Sequence, residues 1–326
     1  MVLPPNSVPR FYRGGAAIAA LRGIEIAAER APEEWVGSTT TVFGEQELGL
    51  SRLPNGQLLR DAMAPDPVAF LGPDHAARRG ADPQLLVKLL DAGERLPVHV
   101  HPDAAFARER LGSPYGKTEA WIVIATEGPG ATMHVGFRED VSAETLERWV
   151  RDQDAAAMLD ALNVVEVRKD DVLYVPAGTP HAIGEGVLVV ELQEPSDLSI
   201  LLEWKGFASG EAEASLGLGW DVALRCVDRS GTDPDRLRGR RLPAEANRFF
   251  RAERIEASPS AELDRGFVIL IFTEGAAELH CEDGEPLRVG RGDALLVPWS
   301  AGTCRLEGEA AAVACRPPVV EPGGAT

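Results

Sequence analysis

A mainly β chain, made of two related β units with one helical insertion, is predicted by three features of the sequence. From Leu96 onward, short apolar runs are broken by Gly and Pro at the spacing of successive strands. The texture then recurs: Trp121 to Val135 (WIVIATEGPGATMHV) is echoed by Phe267 to His280 (FVILIFTEGAAELH), and Lys169 to Ala177 (KDDVLYVPA) by Arg291 to Ser300 (RGDALLVPWS). Within the first unit only residues 142–162 break the strand pattern, with Ser142 placed as an N-cap, Glu144 in the first turn, and Leu146, Trp149, Val150, Met158 and Leu162 forming an apolar stripe.

The strands expected in the first unit are Pro97 to His101, Glu119 to Ala125, Ala131 to Phe137, Val164 to Val167, Val172 to Val175 and Val187 to Gln193. Ahead of them, residues 1–60 read as an extended segment wrapped on the main body, with strand patches at Gly23 to Ala27 and Thr39 to Val42. Leu58 to Ala64 and Pro83 to Ala92 show helical spacing, and the stretch between them reads as a surface connection in which His75 is solvated. The division that follows is residues 1–207, with the insert at 142–162, and residues 208–326 as a second, degenerate unit. Near its start Asp221 to Val227 looks helical, and Arg225 to Arg254 carries an excess of arginine that reads as a solvated face.

A chain of 326 residues with 44% hydrophobic and 26% charged residues is an ordinary globular composition. Its 51 acidic against 33 basic residues give a net charge of -18, which disfavours nucleic acid and anionic membranes as partners. No apolar run reaches the ~18 residues of a membrane span, and the early prolines argue against a signal peptide. Cys226, Cys281, Cys304 and Cys315 form no CxxC pair, so free thiols and a cytoplasmic setting are expected.

The chemistry concentrates in Leu96-Pro97-Val98-His99-Val100-His101-Pro102-Asp103. Residues i and i+2 of a strand share a face, so His99 and His101 present their imidazoles together. Glu119 and His181 follow, the latter in Val175-Pro176-Ala177-Gly178-Thr179-Pro180-His181. Three imidazoles and a carboxylate suit one divalent transition metal, zinc first, with Mn, Fe or Co as alternatives. The second unit has no HxH and no histidine after Pro298, so the metal belongs to the first unit alone.

The HxH and Pro-x-Gly-x-x-His elements resemble the two motifs of the cupin superfamily. With the flanking Gly116-Lys117-Thr118-Glu119-Ala120-Trp121 and Glu191-Leu192-Gln193-Glu194-Pro195-Ser196-Asp197, residues 94–204 resemble the type I mannose-6-phosphate isomerases. The resemblance implies two cupin-type jelly-roll β-barrels and a metal-dependent aldose–ketose isomerase of a hexose phosphate, converting mannose 6-phosphate to fructose 6-phosphate. It puts His101, Glu119 and His181 on metal ligands, with His99 standing where the family usually has Gln, and it puts Lys117 in the active site.

The resemblance also puts Leu201 at the place of an active-site arginine, which leaves Lys205 as the cation to reach the substrate. Glu191 is the first choice of carboxylate base. An isomerase of another or an unphosphorylated sugar, an oxygen-using cupin and a non-catalytic sugar-binding protein are the competing readings.

Overall fold

A computed structural model describes residues 1–25 and 28–320. Three antiparallel sheets make up the β framework of these residues. A seven-stranded sheet runs, edge to edge, through Ser7–Val8, Glu33–Val36, Leu86–Ala92, Val187–Gln193, Glu119–Thr126, Val172–Val175 and Arg238–Gly239. A five-stranded sheet has the order Ile200–Leu201, His99–Val100, His181–Ile183, Thr132–Phe137 and Leu162–Glu166. The third is built on the long strands Val268–Cys281 and Cys304–Arg316, with Arg251–Ala257, Ser260–Leu263, Leu287–Gly290 and Ala294–Val297 along their edges. The chain is thus mainly β, and its sheets face one another without closing into hydrogen-bonded barrels.

The packing follows from the two-residue period of a strand. Trp121 and Val123 project from the Glu119 strand into a core shared with Met133, Val135 and Ile183 of the five-stranded sheet. Ala120, Ile122 and Ile124 project the other way, against Ile269, Ile271, Leu296 and Val313 of the third sheet. A strand buried on both faces needs no polar alternation, which is why residues 120–125 read as one apolar run. The insert caps the far side of the five-stranded sheet, its helix Ala143–Asp152 burying Leu146 and Val150. Ser142 accepts a hydrogen bond from the Thr145 amide at 3.1 Å and so fixes where that helix begins.

The same double burial explains a correction. Residues 83–92, expected to be helical, contain the strand Leu86–Ala92, in which every residue is buried. A short apolar run has no periodicity to separate helix from strand, and its pairing with Glu33–Val36 and Val187–Gln193 decides the matter. His75 departs from expectation too. It lies in the helix Pro73–Arg79, is buried, and donates from Nε2 to the Asp82 carbonyl at 2.8 Å. Thr39 to Val42 is irregular chain, and the patch expected at residues 23–27 lies partly outside the described residues.

The internal repeat is a repeat of structure. Val123 and Phe272 each donate from the backbone amide to the carbonyl of an aspartate, Asp171 and Asp293 respectively, at 2.9 Å in both cases. Each aspartate side chain in turn accepts from the amide three positions back, Arg168 or Gly290. A break in pairing register follows Val123 in one unit and Phe272 in the other. Matching the shared Thr-Glu-Gly letters would set Val123 on Leu270; the hydrogen bonds set it on Phe272. A slip of this kind keeps every side chain on its own face, so the apolar pattern alone does not expose it.

Cys281 and Cys304 are directly opposed on neighbouring strands and joined by a disulfide, which corrects the expectation of four free thiols. Cys226 and Cys315 are free. No helix among the described residues is long and apolar enough to cross a membrane.

Candidate metal centre

His99 and His181 are direct partners across adjacent strands, and His101 follows two residues after His99. Their ligand atoms lie within 4.8 Å of one another, and all three side chains are buried. The Nδ1 atoms of His99, His101 and His181 each lie 2.8 Å from a backbone carbonyl, those of Pro97, Leu198 and Thr179. A carbonyl only accepts, so Nδ1 carries the proton in all three rings and the lone pair is left on Nε2.

Burial and the neighbouring histidines hold the His99 imidazole well below its ordinary range. Burial also lowers His101, against the opposing pull of Glu119. For His181 burial and then His101 bring the value down to about 3. The rings are therefore neutral, as metal ligation requires.

Glu119 enters from the seven-stranded sheet, with Oε1 at 3.1 Å from His101 Nε2 and Oε2 at 3.7 Å from His181 Nε2. A carboxylate oxygen and an unprotonated imidazole nitrogen are both acceptors, and acceptors crowd this closely only around a cation. Lys117 supplies part of that charge, its ammonium 2.8 Å from Glu119 Oε1 and 3.3 Å from His101 Nε2. It does not reach everything: His181 Nε2 is buried and has no hydrogen-bond partner. An orphaned lone pair at the centre of three imidazoles and a carboxylate fits a divalent metal.

Beside these residues lies a small pocket of about 30 Å³, lined among others by Arg10, Lys88, Glu191 and Leu201. The charged residues there form a buried network. Arg10 makes a two-pronged contact to Asp197 at 2.9 and 3.1 Å and reaches Glu33 at 3.3 Å. Lys88 stands between Glu33 and Glu191 at 3.4 and 3.2 Å. For Glu191, burial and the charge of Glu119 outweigh Lys88 and raise the carboxyl to about 7. For Glu33, burial acts upward, but Lys88, Arg10 and hydrogen bonds from Trp35 and Tyr12 prevail and bring it to about 2.

His99, His101, Glu119, His181, Lys117 and Glu191 are thus gathered around one space, with Leu201 at its wall. Lys205 is exposed, with its ammonium 5.9 Å from the centre of the Trp204 ring, and it is not among the lining residues. Sequence reasoning missed Arg10, Glu33 and Lys88. Only Lys88 left a signal, as a lone cation inside an apolar run.

Fold and site together define a cupin-type protein with a histidine-rich metal centre. No family model matches the chain. Among curated proteins, the mannose-6-phosphate isomerase of Streptococcus mutans is 42% identical over 113 residues, which are 35% of this chain and 34% of that protein. GmuF of Bacillus subtilis, named a probable mannose-6-phosphate isomerase, is 32% identical over 201 residues, 60% of this chain and 58% of its own length. The chain therefore spans from a third to under two thirds of these two relatives. A solved structure from Archaeoglobus fulgidus, provisionally identified as a mannosephosphate isomerase, is 26% identical with a TM-score of 0.79, covering 98% of this chain and 97% of that one. By sequence over part of its length and by fold over nearly all of it, the chain is similar to mannose-6-phosphate isomerases.

Proposed function

We propose that this protein is a metal-dependent aldose–ketose isomerase of a hexose phosphate, with mannose 6-phosphate and fructose 6-phosphate as its pair. The observation that carries the reading is the meeting of three neutral, Nδ1-anchored imidazoles with Glu119, with Lys117 bonded to the same carboxylate. His99, His101, Glu119 and His181 are the ligands in this reading, and zinc is the ion that three nitrogens and one carboxylate suit best, ahead of Mn, Fe or Co. A divalent metal held by these residues would supply Lewis-acid stabilisation of the negative charge that develops on the sugar oxygens during proton transfer between C1 and C2.

The protein's own groups carry the proton. Glu191, raised to about 7, is poised to take and return one near neutral pH. The Lys117 ammonium orients Glu119 and presents a donor to the sugar oxygens. Lys205 remains a substrate contact in this reading only if its loop turns inward from the surface. A hexose phosphate also needs more room than about 30 Å³, and the wall that must give way includes Arg10, Phe11 and Tyr12 of the N-terminal segment. The chain works as two units, residues 1–207 with the metal and residues 208–326 without one.

The test is release of deuterium from C2 of labelled mannose 6-phosphate by protein loaded in turn with Zn, Mn, Fe and Co. Exchange with at least one metal is expected; none with any of them would overturn the reading. Leu201 at the wall favours a second reading, a sugar-binding protein without turnover. Tight binding of mannose 6-phosphate with no exchange would establish it.

A further inference from the structure

Apart from the metal centre, a groove of about 1070 Å³ lies between the seven-stranded sheet and the third sheet, and none of its lining residues lines the pocket beside the histidines. Its apolar floor includes Ile122, Ile124 and Val172, the back of the strands whose front carries the site, with Val313 opposite. Its rim carries six arginines and Lys169 against four carboxylates, those of Asp170, Glu253, Glu256 and Asp264, in a chain whose net charge is -18.

Most of that charge is already matched. Arg254 pairs with Asp170 and Glu256, Lys169 with Glu274, Arg265 with Glu282, and Arg240 with Asp171. Three arginines are left. Arg241 has no hydrogen-bond or ion-pair partner among the described residues. Arg251 donates only to the Pro317 carbonyl, at 3.0 Å. Arg316, which is buried, donates to the Asp264 carbonyl and has one loose carboxylate contact, Glu253 at 3.9 Å.

Arg251 and Arg316 are moreover direct cross-strand partners. Like charges so placed repel. Burial and then the neighbouring arginine weaken the hold of Arg251 on its proton, and burial does the same to Arg316. An anion shared by two guanidinium groups converts that repulsion into charge-assisted hydrogen bonds.

We propose that this groove is a second ligand site, for a phosphorylated metabolite of nucleotide size, with its phosphate between Arg251 and Arg316 and its less polar part along Ile122, Ile124 and Val172. This site is separate from the one on which the isomerase reading rests. Arg241 is the outer contact.

Calorimetric titration of ADP into the full chain at fixed ionic strength tests this. One ADP per chain is expected, weakened about tenfold or more by Arg251→Ala and severalfold by Arg241→Ala, and unchanged by Arg236→Ala, an exposed arginine outside the groove, and by Lys117→Ala in the metal centre. In case Arg251→Ala does not fold, Arg251→Met retains the alkyl packing. Without anion it should melt higher than the parent, because the repulsion is gone, and ADP should raise the melting temperature of the parent but not of this variant. No ADP binding to the parent, equal binding to folded Arg251 and Arg241 variants, or loss of binding in Lys117→Ala would each overturn the proposal.

Discussion

His99 and Leu201 stand directly opposite each other on paired strands, and both line the small pocket beside the metal centre. A proposed ligand therefore has an aliphatic wall as its cross-strand neighbour. Leu201 is 5% exposed and packs with the core that holds the helical insert. Leu201→Ala should accordingly cost about 2–5 kcal/mol in urea unfolding, the range for removing a buried leucine side chain, while zinc content stays at the parental level. A variant as stable as the parent would remove Leu201 from the core.

His101→Ala should lower metal affinity by more than about 100-fold, because it deletes one of the proposed ligands outright and not merely a supporting contact. Plasma mass spectrometry after dialysis reads this directly, with His75→Ala, a histidine satisfied by the Asp82 carbonyl, as the control that keeps its metal. Equal metal in both variants would dismantle the centre.

Lys117→Ala should retain metal and lose about 10²–10⁴-fold in turnover of mannose 6-phosphate, the scale of a positioned proton-handling group. The lysine touches Glu119 and His101, so metal content must be measured on the same sample. Full turnover with full metal would place Lys117 outside the chemistry.

Glu33 makes stability depend on acid. Its folded value lies near 2 against an ordinary 4.5, so the stabilisation is fully present above about 4.5 and is lost as pH falls from 4.5 through about 2. The shift corresponds to something on the order of 3 kcal/mol. In Glu33→Gln the urea midpoint should be lower at neutral pH and much flatter across that acid window. A slope identical to the parent's would show that Glu33 does not carry the effect.

The Cys281–Cys304 bond closes a loop with a sequence separation of 23, and it constrains the unfolded chain more than the folded one. Adding a thiol reductant should lower stability by about 2–4 kcal/mol and raise the count of reactive thiols in denaturant. Four reactive thiols before reduction would mean that the bond does not form.

Much of the site was legible because its residues sit in short motifs. His99 and His101 share a strand face through a local rule, Lys117 and Glu119 do so again, and Pro176 and Gly178 announce the turn before His181. Arg10, Glu33 and Lys88 escaped notice because long-range pairing alone brings them together: Arg10 reaches Asp197, far along the chain, through a side-chain contact that no spacing encodes. Residues 83–92 misled for the opposite reason, since uniform burial erases the periodicity that separates helix from strand. The cysteines misled because opposition across a sheet depends on register, which spacing in sequence does not reveal.

The Glu119 strand is where the molecule's two halves meet, and its alternation has a consequence for how the protein tolerates change. Ile122 and Ile124 pack against the third sheet, so that sheet, though it has no histidine cluster among its described residues, backs the strand that carries Glu119. Substitutions in the Val268 or Cys304 strands that loosen this backing would tilt Glu119 away from the imidazoles without touching a ligand. The third sheet thus acts as a mould against which the Glu119 strand is kept in shape.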